Sequence, residues 1–230
     1  MDDLKPETLV KTLAVPTRAA MLSALMGGLS LPASELAYRA GISTSTASHH
    51  LNHLLKDGFV RVRKIGRHRY FELNGYETAD VLERLNLIAP MVATGKKKGE
   101  ASEGLKHARW CYDHLAGRLG VTIFKKLRTQ RFIKTRSDDF ELLDLTDNGN
   151  QFFSSMGINI EPLHNSRRKF AYECIDWSER KPHLAGALGA ALAGEFVKRG
   201  WITEKSESRV VSITPKGQRW FSKNFDIQSL

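Results

Sequence analysis

Two cysteines and two histidines in the second half of this sequence are the residues best suited to bind a metal. Cys111 and Cys174 are the only cysteines among 230 residues, too few for a disulfide framework in a chain of this length. Thiolates and imidazoles are ligands that zinc and softer metals prefer. Together with the aspartate two positions after each cysteine, the candidate ligands are Cys111, Cys174, His114, His183, Asp113 and Asp176.

These residues form a site only if the fold brings the two cysteines together. We then expect a tetrahedral zinc site, or a trap for a soft metal or a thiol-reactive metalloid, at Cys111 and Cys174. The alternative is structural, because free cysteine is among the most often buried residue types. The identity of the cofactor, if there is one, stays open between these interpretations.

An internal duplication relates the two cysteine regions. The motif His-Leu-Ala-Gly-x-Leu-Gly at 114–120 recurs at 183–189, 69 residues later, and such self-similarity marks a repeated structural unit. The later matches are Phe132-Ile133 with Trp201-Ile202, and residues 145–149 with 213–217. We predict repeats at about 107–160 and 170–230 that pack about a pseudo-twofold axis, each with a helix beginning near its histidine. The small residues of the motif also fit a purely structural role in close helix packing.

A second set of polar residues lies in the first half, on a predicted helix. Ser43 is a favourable N-cap, and Ala47, Leu51, Leu54 and Leu55 fall on one helical face. The opposite face and its flanks carry groups that can hydrogen-bond to base edges or phosphates. They are Thr44, Ser45, Thr46, Ser48, His49, His50, Asn52, His53 and Lys56. His49 and His53 also have the spacing of a zinc-binding pair, but they supply only half of a structural site.

A predicted β-hairpin follows this helix and is rich in cations. Val60 and Val62 alternate with arginines, Gly66 marks the turn, and Phe71 and Leu73 alternate with polar residues, which is the period of strands. The residues expected to contact the phosphate backbone or a minor groove are Arg61, Arg63, Lys64, Arg67, His68, Arg69 and Tyr70. A solvated charged face is the alternative interpretation of an isolated hairpin.

The elements that position these residues form a winged helix-turn-helix. A short helix over about Pro32–Ala40 precedes Gly41, which suits the left-handed turn before the second helix. The fold class is therefore mainly α with small β-hairpins: a winged helix-turn-helix domain at 1–92, a linker at 93–104 and a duplicated, mostly helical domain at 105–230. The helix expected at 76–91 has apolar residues on two sides, which predicts a partner subunit.

Composition and charge agree with a nucleic-acid partner. Lys and Arg total 35 against 25 acidic residues, a formal charge of +10, which favours a polyanion. The chain has no apolar run long enough to cross a bilayer and begins with an acidic segment, so we expect a cytoplasmic protein with no membrane partner. We expect no enzyme, because the sequence has no phosphate-cradling glycine loop or paired-carboxylate signature, and Cys-x-Asp-His alone is no activated nucleophile.

Four segments of the first half resemble the ArsR (arsenic-repressor-like) transcriptional regulators. They are residues 13–22 with Pro-Thr-Arg, the serine-rich helix at 45–51, the exit at 56–60 and the glycine-tipped wing at 66–71. The resemblance covers about residues 5–92. It implies a homodimer joined through the first and last helices of this module, which binds a palindromic operator and leaves it when an effector binds.

The sequence departs from that pattern at the metal sites known in the family. One family site uses a cysteine pair at the start of the helix before the recognition helix; residues 31–36 contain no cysteine, so this site is absent. A second uses acidic and histidine ligands on the last dimer helix, where Asp80 and Glu83 are present but residues 76–91 contain no histidine, which puts this site in doubt. The region after 105 resembles the C-terminal extension of a long subgroup, where an effector site or extra dimer contacts are expected. We predict a sequence-specific DNA-binding regulator, a homodimeric repressor that binds a double-stranded DNA operator. The alternative is a non-specific architectural DNA-binding protein.

Overall fold

The chain forms two compact units in the computed structural model, which describes residues 6–88, 100–204 and 208–227. The division falls between Glu83 and Arg84, inside the helix that closes the first unit. The predicted domain limit at 92 lies outside the described residues and stays a prediction. Within the described residues, no helix combines the length and the apolar character needed to cross a membrane.

The first unit is a winged helix-turn-helix. Its elements are α1 (Pro6–Leu13), α2 (Pro16–Leu25), β1 (Leu31–Pro32), α3 (Ala33–Ala40), α4 (Thr44–Lys56), β2 (Val60–Ile65), β3 (His68–Leu73) and α5 (Tyr76–Ile88), the last of which continues into the second unit. The strands form an antiparallel sheet in the order β1-β3-β2, with Val60 opposite Leu73 and Ile65 opposite His68. The core includes Met21, Leu22, Leu36, Leu51 and Leu54, each almost fully buried.

Local sequence signals set the turn between α3 and α4 as predicted. Gly41 has a φ of +67°, a conformation that costs glycine little. Ser43 caps α4 by accepting a hydrogen bond from the Thr46 amide at 3.2 Å, which satisfies one of the free N–H groups at the helix start. The expected buried face of α4 is confirmed at Ala47, Leu51 and Leu54. Leu55 differs, because it is only half-buried.

The second unit contains the duplication. Its elements are α6 (Glu100–His107), β4 (Arg109–Cys111), β5 (His114–Ala116), α7 (Gly117–Thr129), β6 (Ile133–Thr135), β7 (Leu143–Leu145), α8 (Asp147–Ser155), α9 (Glu161–His164), β8 (Tyr172–Ile175), β9 (Pro182–Ala185), α10 (Gly186–Lys198), β10 (Ile202–Glu204), β11 (Val211–Ile213) and α11 (Pro215–Phe225). Each repeat runs hairpin, helix, hairpin, helix, with every strand pair antiparallel. One core joins both repeats, including Leu119, Phe153, Leu188 and Phe221.

The histidines of the repeated motif lie in strands, which corrects the expected helix beginning near each histidine. His114 lies in β5 and His183 in β9, and the helices begin only at Gly117 and Gly186. These glycines have φ values of +76° and +85°. Since that conformation strains any residue with a side chain, the chain turns from strand to helix there rather than at the histidine.

The ends of the two repeats match in detail. Thr146 and Thr214 cap α8 and α11 by accepting hydrogen bonds from the amides of Gly149 and Gly217, both at 3.0 Å. An aromatic stack accompanies each cap: Phe132 lies on Phe152, with ring centroids 4.3 Å apart, and Trp201 lies on Trp220 at 3.9 Å. The alignment of 145–149 with 213–217 therefore corresponds to equivalent structure.

The C-terminal end of the predicted linker at 93–104 is helical. Residues 93–99 lie outside the described residues, but α6 begins at Glu100. Glu103 and Lys106 pair across one turn of this helix at 3.0 Å. Gly104, which looks like a linker glycine in the sequence, lies where a Cβ would be 3.1 Å from a Val210 methyl. Close packing rather than chain freedom explains this glycine.

Candidate nucleic-acid interface and metal cluster

The outer face of α4 exposes most of the side chains predicted to contact DNA. The exposed ones are Thr44, Ser45, Thr46, Ser48, His49, Asn52 and Lys56, while His50 and His53 are half-buried. The face exists because Ala47, Leu51 and Leu54 anchor the opposite side of the helix in the core. Hydroxyls, imidazoles, an amide and an ammonium group on one accessible helical face can hydrogen-bond to base edges and phosphates.

Hydrogen bonds along the helix orient several of these groups. Ser48 donates to the carbonyl of Thr44 at 2.9 Å. His49 and His53 share a hydrogen bond between their Nε2 atoms, 3.2 Å apart. Within the described part of the chain, no third cysteine, histidine or acidic residue joins this pair as a potential metal ligand. Burial, Arg18 and the two neighbouring histidines lower the pKa of His50.

The wing, formed by β2 and β3, follows α4 in the chain and exposes several basic side chains. The predicted DNA contacts that are exposed in β2, β3 and their turn are Arg61, Arg63, Lys64, Arg67, His68 and Arg69, while Tyr70 is half-buried. Arg61 donates to Glu72 at 2.8 Å, so its charge is partly neutralised. Burial opposes the ionisation of Glu72, but hydrogen bonds from Ser30 and Arg61 keep the pKa of this carboxyl below its usual value.

Four of the six candidate metal ligands come together in the second unit. One ligand atom from each of Cys111, His114, Cys174 and His183 lies within 4.8 Å of the other three, and the two Sγ atoms are 4.0 Å apart. The side chains are buried, with 3%, 5%, 6% and 1% of the residue surface exposed, respectively. Thiols and imidazoles are a ligand set that suits zinc.

The strand pairing explains how the cluster forms. Cys111 lies opposite His114 in the β4–β5 hairpin, and Cys174 lies opposite His183 in the β8–β9 hairpin. The longer loop between Asp176 and His183 therefore leaves the cross-strand pairing of the second repeat equivalent to that of the first. The imidazole rings of the two repeats stack, with centroids 5.1 Å apart and planes inclined by 25°.

The structure does not bring the other two candidates, Asp113 and Asp176, into this cluster, because both are engaged elsewhere. Asp113 accepts a hydrogen bond from Arg168 at 2.6 Å and lies 3.3 Å from Nδ1 of His114. Asp176 pairs with the fully buried Arg109 at 2.8 Å and accepts from the amide of Gly117 at 2.6 Å. The Asp176–Arg109 pair thus joins the two repeats, and the Asp113–Arg168 pair joins the first repeat to the segment before the second.

These charges shift the titration of the groups around the cluster. Burial alone would raise the pKa of Asp176, but Arg109 lowers it to about 2. Burial alone would lower the pKa of His114, yet Cys111 and Asp113 raise it to about 9. Burial and the neighbouring His114 hold the pKa of His183 well below its ordinary value.

Sequence reasoning missed the two arginines. Arg109 and Arg168 belong to no repeated motif, and the partner of Arg168 lies 55 residues away in the chain. No signal in the sequence pairs them with the aspartates. The repetition of Cys-x-Asp was the only indication that both carboxylates have related roles.

Comparison with known proteins gives a family model and a full-length relative. The model of the "Helix-turn-helix domain" matches residues 13–63. A curated protein of Bacillus subtilis (strain 168), named an uncharacterized HTH-type transcriptional regulator, YdfF, is 42% identical over 217 residues. The match covers 94% of this chain and 95% of the relative.

Two solved structures are similar to part of the chain. HlyU from Vibrio cholerae N16961 is 30% identical with a TM-score of 0.34, covering 36% of this chain and 89% of that chain. A homodimeric winged helix-turn-helix DNA-binding domain from Mycobacterium bovis, described as a possible ArsR-family transcriptional regulator, is 22% identical with a TM-score of 0.36. It covers 41% of this chain and 87% of that chain.

Proposed function

The chain belongs to the helix-turn-helix transcriptional regulators, and from this premise we propose that it is a homodimeric repressor that binds a specific DNA operator. The proposal assigns DNA binding and dimerisation to residues 1–92 and effector binding to residues 105–230. The main support for the proposal is the exposed polar face of α4. Leucines anchor one side of this helix in the core, and the other side offers hydrogen-bond donors and acceptors, as a helix in a major groove requires.

In this proposal α4 is the recognition helix. Its N-terminal half exposes Ser45, Ser48 and His49, the part of a recognition helix that contacts base edges in helix-turn-helix proteins. The hydroxyl of Ser48 already donates to the Thr44 carbonyl, which leaves its lone pairs to accept from a base. The wing residues Arg63, Lys64, Arg67, His68 and Arg69 then contact phosphates, which position the protein but carry no sequence information.

Exposed apolar residues support the dimer. Leu9 and Val10 of α1 are 45% and 68% exposed, and Val81 and Ile88 of α5 are 44% and 80% exposed. Two helices that present large apolar side chains to solvent favour burial against a second copy of the chain. Symmetric dimers read two half-sites about one helical turn apart, which fits a palindromic operator.

Release by an effector completes the proposal. The second unit contains its own core and a buried polar cluster that DNA reading does not require. We assign effector sensing to this unit, either by a ligand or by thiol or metal chemistry at the cysteines. A repressor that leaves its operator on this signal is the simplest use of such a unit.

The test compares operator binding with non-specific binding at one salt concentration. Fluorescence anisotropy with DNA from upstream of the protein's own gene, against scrambled DNA of equal length, should give a preference of about 10³-fold or more. Ser48→Ala and His49→Ala should reduce that preference, while Lys223→Ala, an exposed residue of α11, should not. Equal affinity for both DNAs would show a non-specific architectural protein instead.

A further inference from the structure

DNA binding does not explain the buried cluster of Cys111, His114, Cys174 and His183. We propose that it is a closed, four-coordinate site for Zn²⁺ that clamps the two repeats of the second unit together. Each repeat supplies one thiolate and one imidazole, from the cross-strand pairs of β4–β5 and β8–β9. The inference does not depend on the proposed DNA binding, since it concerns the second unit alone. It gives the cysteines a structural role in place of thiol or metal sensing, so that effector sensing in this unit would require a separate ligand.

The distances are close to those of a zinc site. With Zn–S near 2.3 Å and Zn–N near 2.0–2.1 Å, the ligand atoms of a tetrahedral site lie about 3.3–3.8 Å apart. The two Sγ atoms are 4.0 Å apart, and no pair in the cluster exceeds 4.8 Å. Closing the four atoms around one ion therefore shortens each pair distance by about 1.5 Å at most.

Unpaired buried nitrogens point independently to a ligand. His183 is 1% exposed, and among the described residues neither of its ring nitrogens has a hydrogen-bond partner. A buried polar atom without a partner is costly, and coordination of a metal removes that cost. A disulfide between Cys111 and Cys174 would join the sulfurs but would leave both ring nitrogens of His183 without a hydrogen-bond partner. A metal accounts for all four side chains.

The surroundings match the second layer of a zinc site. Metal-binding histidines usually donate their other ring N–H to a carboxylate. Nδ1 of His114 lies 3.3 Å from Asp113, and Arg168 holds that carboxylate at 2.6 Å. This contact engages Nδ1 and leaves Nε2, which has no hydrogen-bond partner among the described residues, as the nitrogen available to the metal.

The choice of zinc follows from the donor set and its burial. Two sulfurs and two nitrogens in a tetrahedral arrangement are typical of zinc. A trivalent metalloid that prefers thiolates alone would find only two, since the chain has no other cysteine. Four protein ligands leave no open coordination position, and such closed sites hold structure together rather than catalyse reactions.

The experiment uses the full-length, reduced protein and Co²⁺ as a spectroscopic probe for Zn²⁺. We expect uptake of about one Co²⁺ per chain, with the intense visible bands of tetrahedral coordination and a thiolate charge-transfer band in the near ultraviolet. Zn²⁺ should displace the bands at one equivalent. Removal of metal with a chelator should lower Tm, and Zn²⁺ should restore it.

Variants locate the site. His183→Gln should weaken Co²⁺ binding at least about 100-fold, a loss of about 2.7 kcal/mol, whereas His164→Gln, an exposed histidine of the same unit, should bind as the native protein does. Absence of stoichiometric uptake by the native protein overturns the proposal, and this result needs no variant to fold. A Cys111–Cys174 disulfide that persists in purified protein under mild reduction, or full uptake by His183→Gln, would overturn it too.

Discussion

At the scale of single residues, His114 connects the cluster to the ion pairs that surround it. Its ring stacks on His183, and its Nδ1 faces Asp113, which Arg168 holds in place. The order of these contacts, from arginine to carboxylate to imidazole, means that Asp113 acts on a metal only through His114. Asp113 is thus a positioning residue rather than a ligand.

Asp113→Asn tests that role. The amide keeps the shape of the carboxylate but loses its charge, so His114 becomes a weaker donor to the metal. We expect the Co²⁺ affinity of the reduced protein to fall about 10- to 100-fold, with tetrahedral bands retained. Asp138→Asn, at an exposed aspartate paired with Arg136, is the matched control. Equal affinities of the two variants would show that Asp113 does not orient His114.

The wing arginines differ in their availability for phosphates. Arg61 pairs with Glu72 at 2.8 Å, while Arg67 is exposed at the turn. We expect Arg67→Ala to reduce the slope of log affinity against log salt concentration by about 1, because each lost phosphate contact releases about one counterion fewer. Arg61→Ala should change it less. A larger change at Arg61 would place that residue, and not the turn, on the DNA backbone.

At the scale of elements, glycines decide how closely helices and hairpins approach. A Cβ at Gly120 of α7 would lie 2.3 Å from the Leu115 carbonyl oxygen, and one at Gly189 of α10 would lie 2.5 Å from that of Leu184. The same positions face the other repeat, where the Cβ would be 3.6 Å and 3.4 Å from the Cβ atoms of His183 and His114, respectively. The absence of a side chain at each glycine therefore lets α7 approach His183 and α10 approach His114.

Alanine substitutions distinguish a glycine that is needed for close packing from one that only lowers helix propensity. Gly120→Ala should lower the free energy of unfolding by about 1–3 kcal/mol or more, because backbone must move to admit the methyl group. A methyl group at Gly194 of α10 would meet nothing within 4 Å, so Gly194→Ala should raise the free energy of unfolding by about 0.5–1 kcal/mol. Chemical denaturation of the two variants measures both. Stabilisation by Gly120→Ala would show that the approach is not tight.

The elements that carry strong local signals could be predicted from the sequence, and the others could not. The bounds of α4 follow from Ser43, three buried apolar residues and the glycine at 58, since capping and periodicity act within a few residues. The strands containing His114 and His183 are three and four residues long, and almost every residue in them is buried. They show no alternation of buried and exposed residues, so the period that predicts a strand is missing.

The same contrast applies to the candidate metal site. Its cysteines and histidines could be proposed from ligand chemistry and repetition, because both are visible in the sequence. The exclusion of Asp113 and Asp176 could not, since it depends on arginines brought in by tertiary packing. Arg109 reaches Asp176 across 67 positions of the chain, and no local pattern records that contact.

At the scale of the whole molecule, the two kinds of chemistry belong to separate compact units. The polar face of α4 lies in the unit that ends at Glu83, and the Cys and His cluster lies in the unit that begins at Arg84. Within α5, the helix that joins them, Val81, Leu85 and Ile88 are exposed. A dimer contact along this helix would involve residues of both units, because the boundary between the units lies within it. A test of dimerisation therefore tests residues of both units at once.

Charged substitutions at the exposed apolar residues test the dimer. Val10→Glu and Ile88→Glu, at positions 68% and 80% exposed, should leave the fold intact but place a carboxylate in the proposed interface, where burial of an unpaired charge is costly. Sedimentation velocity should then show monomers. Operator affinity should fall about tenfold or more, because one protomer contacts only one half-site. Phe140→Glu, at an equally apolar position that is 84% exposed in the second unit, should remain dimeric. Dimers of unchanged stability in both α1 and α5 variants would place the contact between subunits elsewhere and remove the two helices from the proposal.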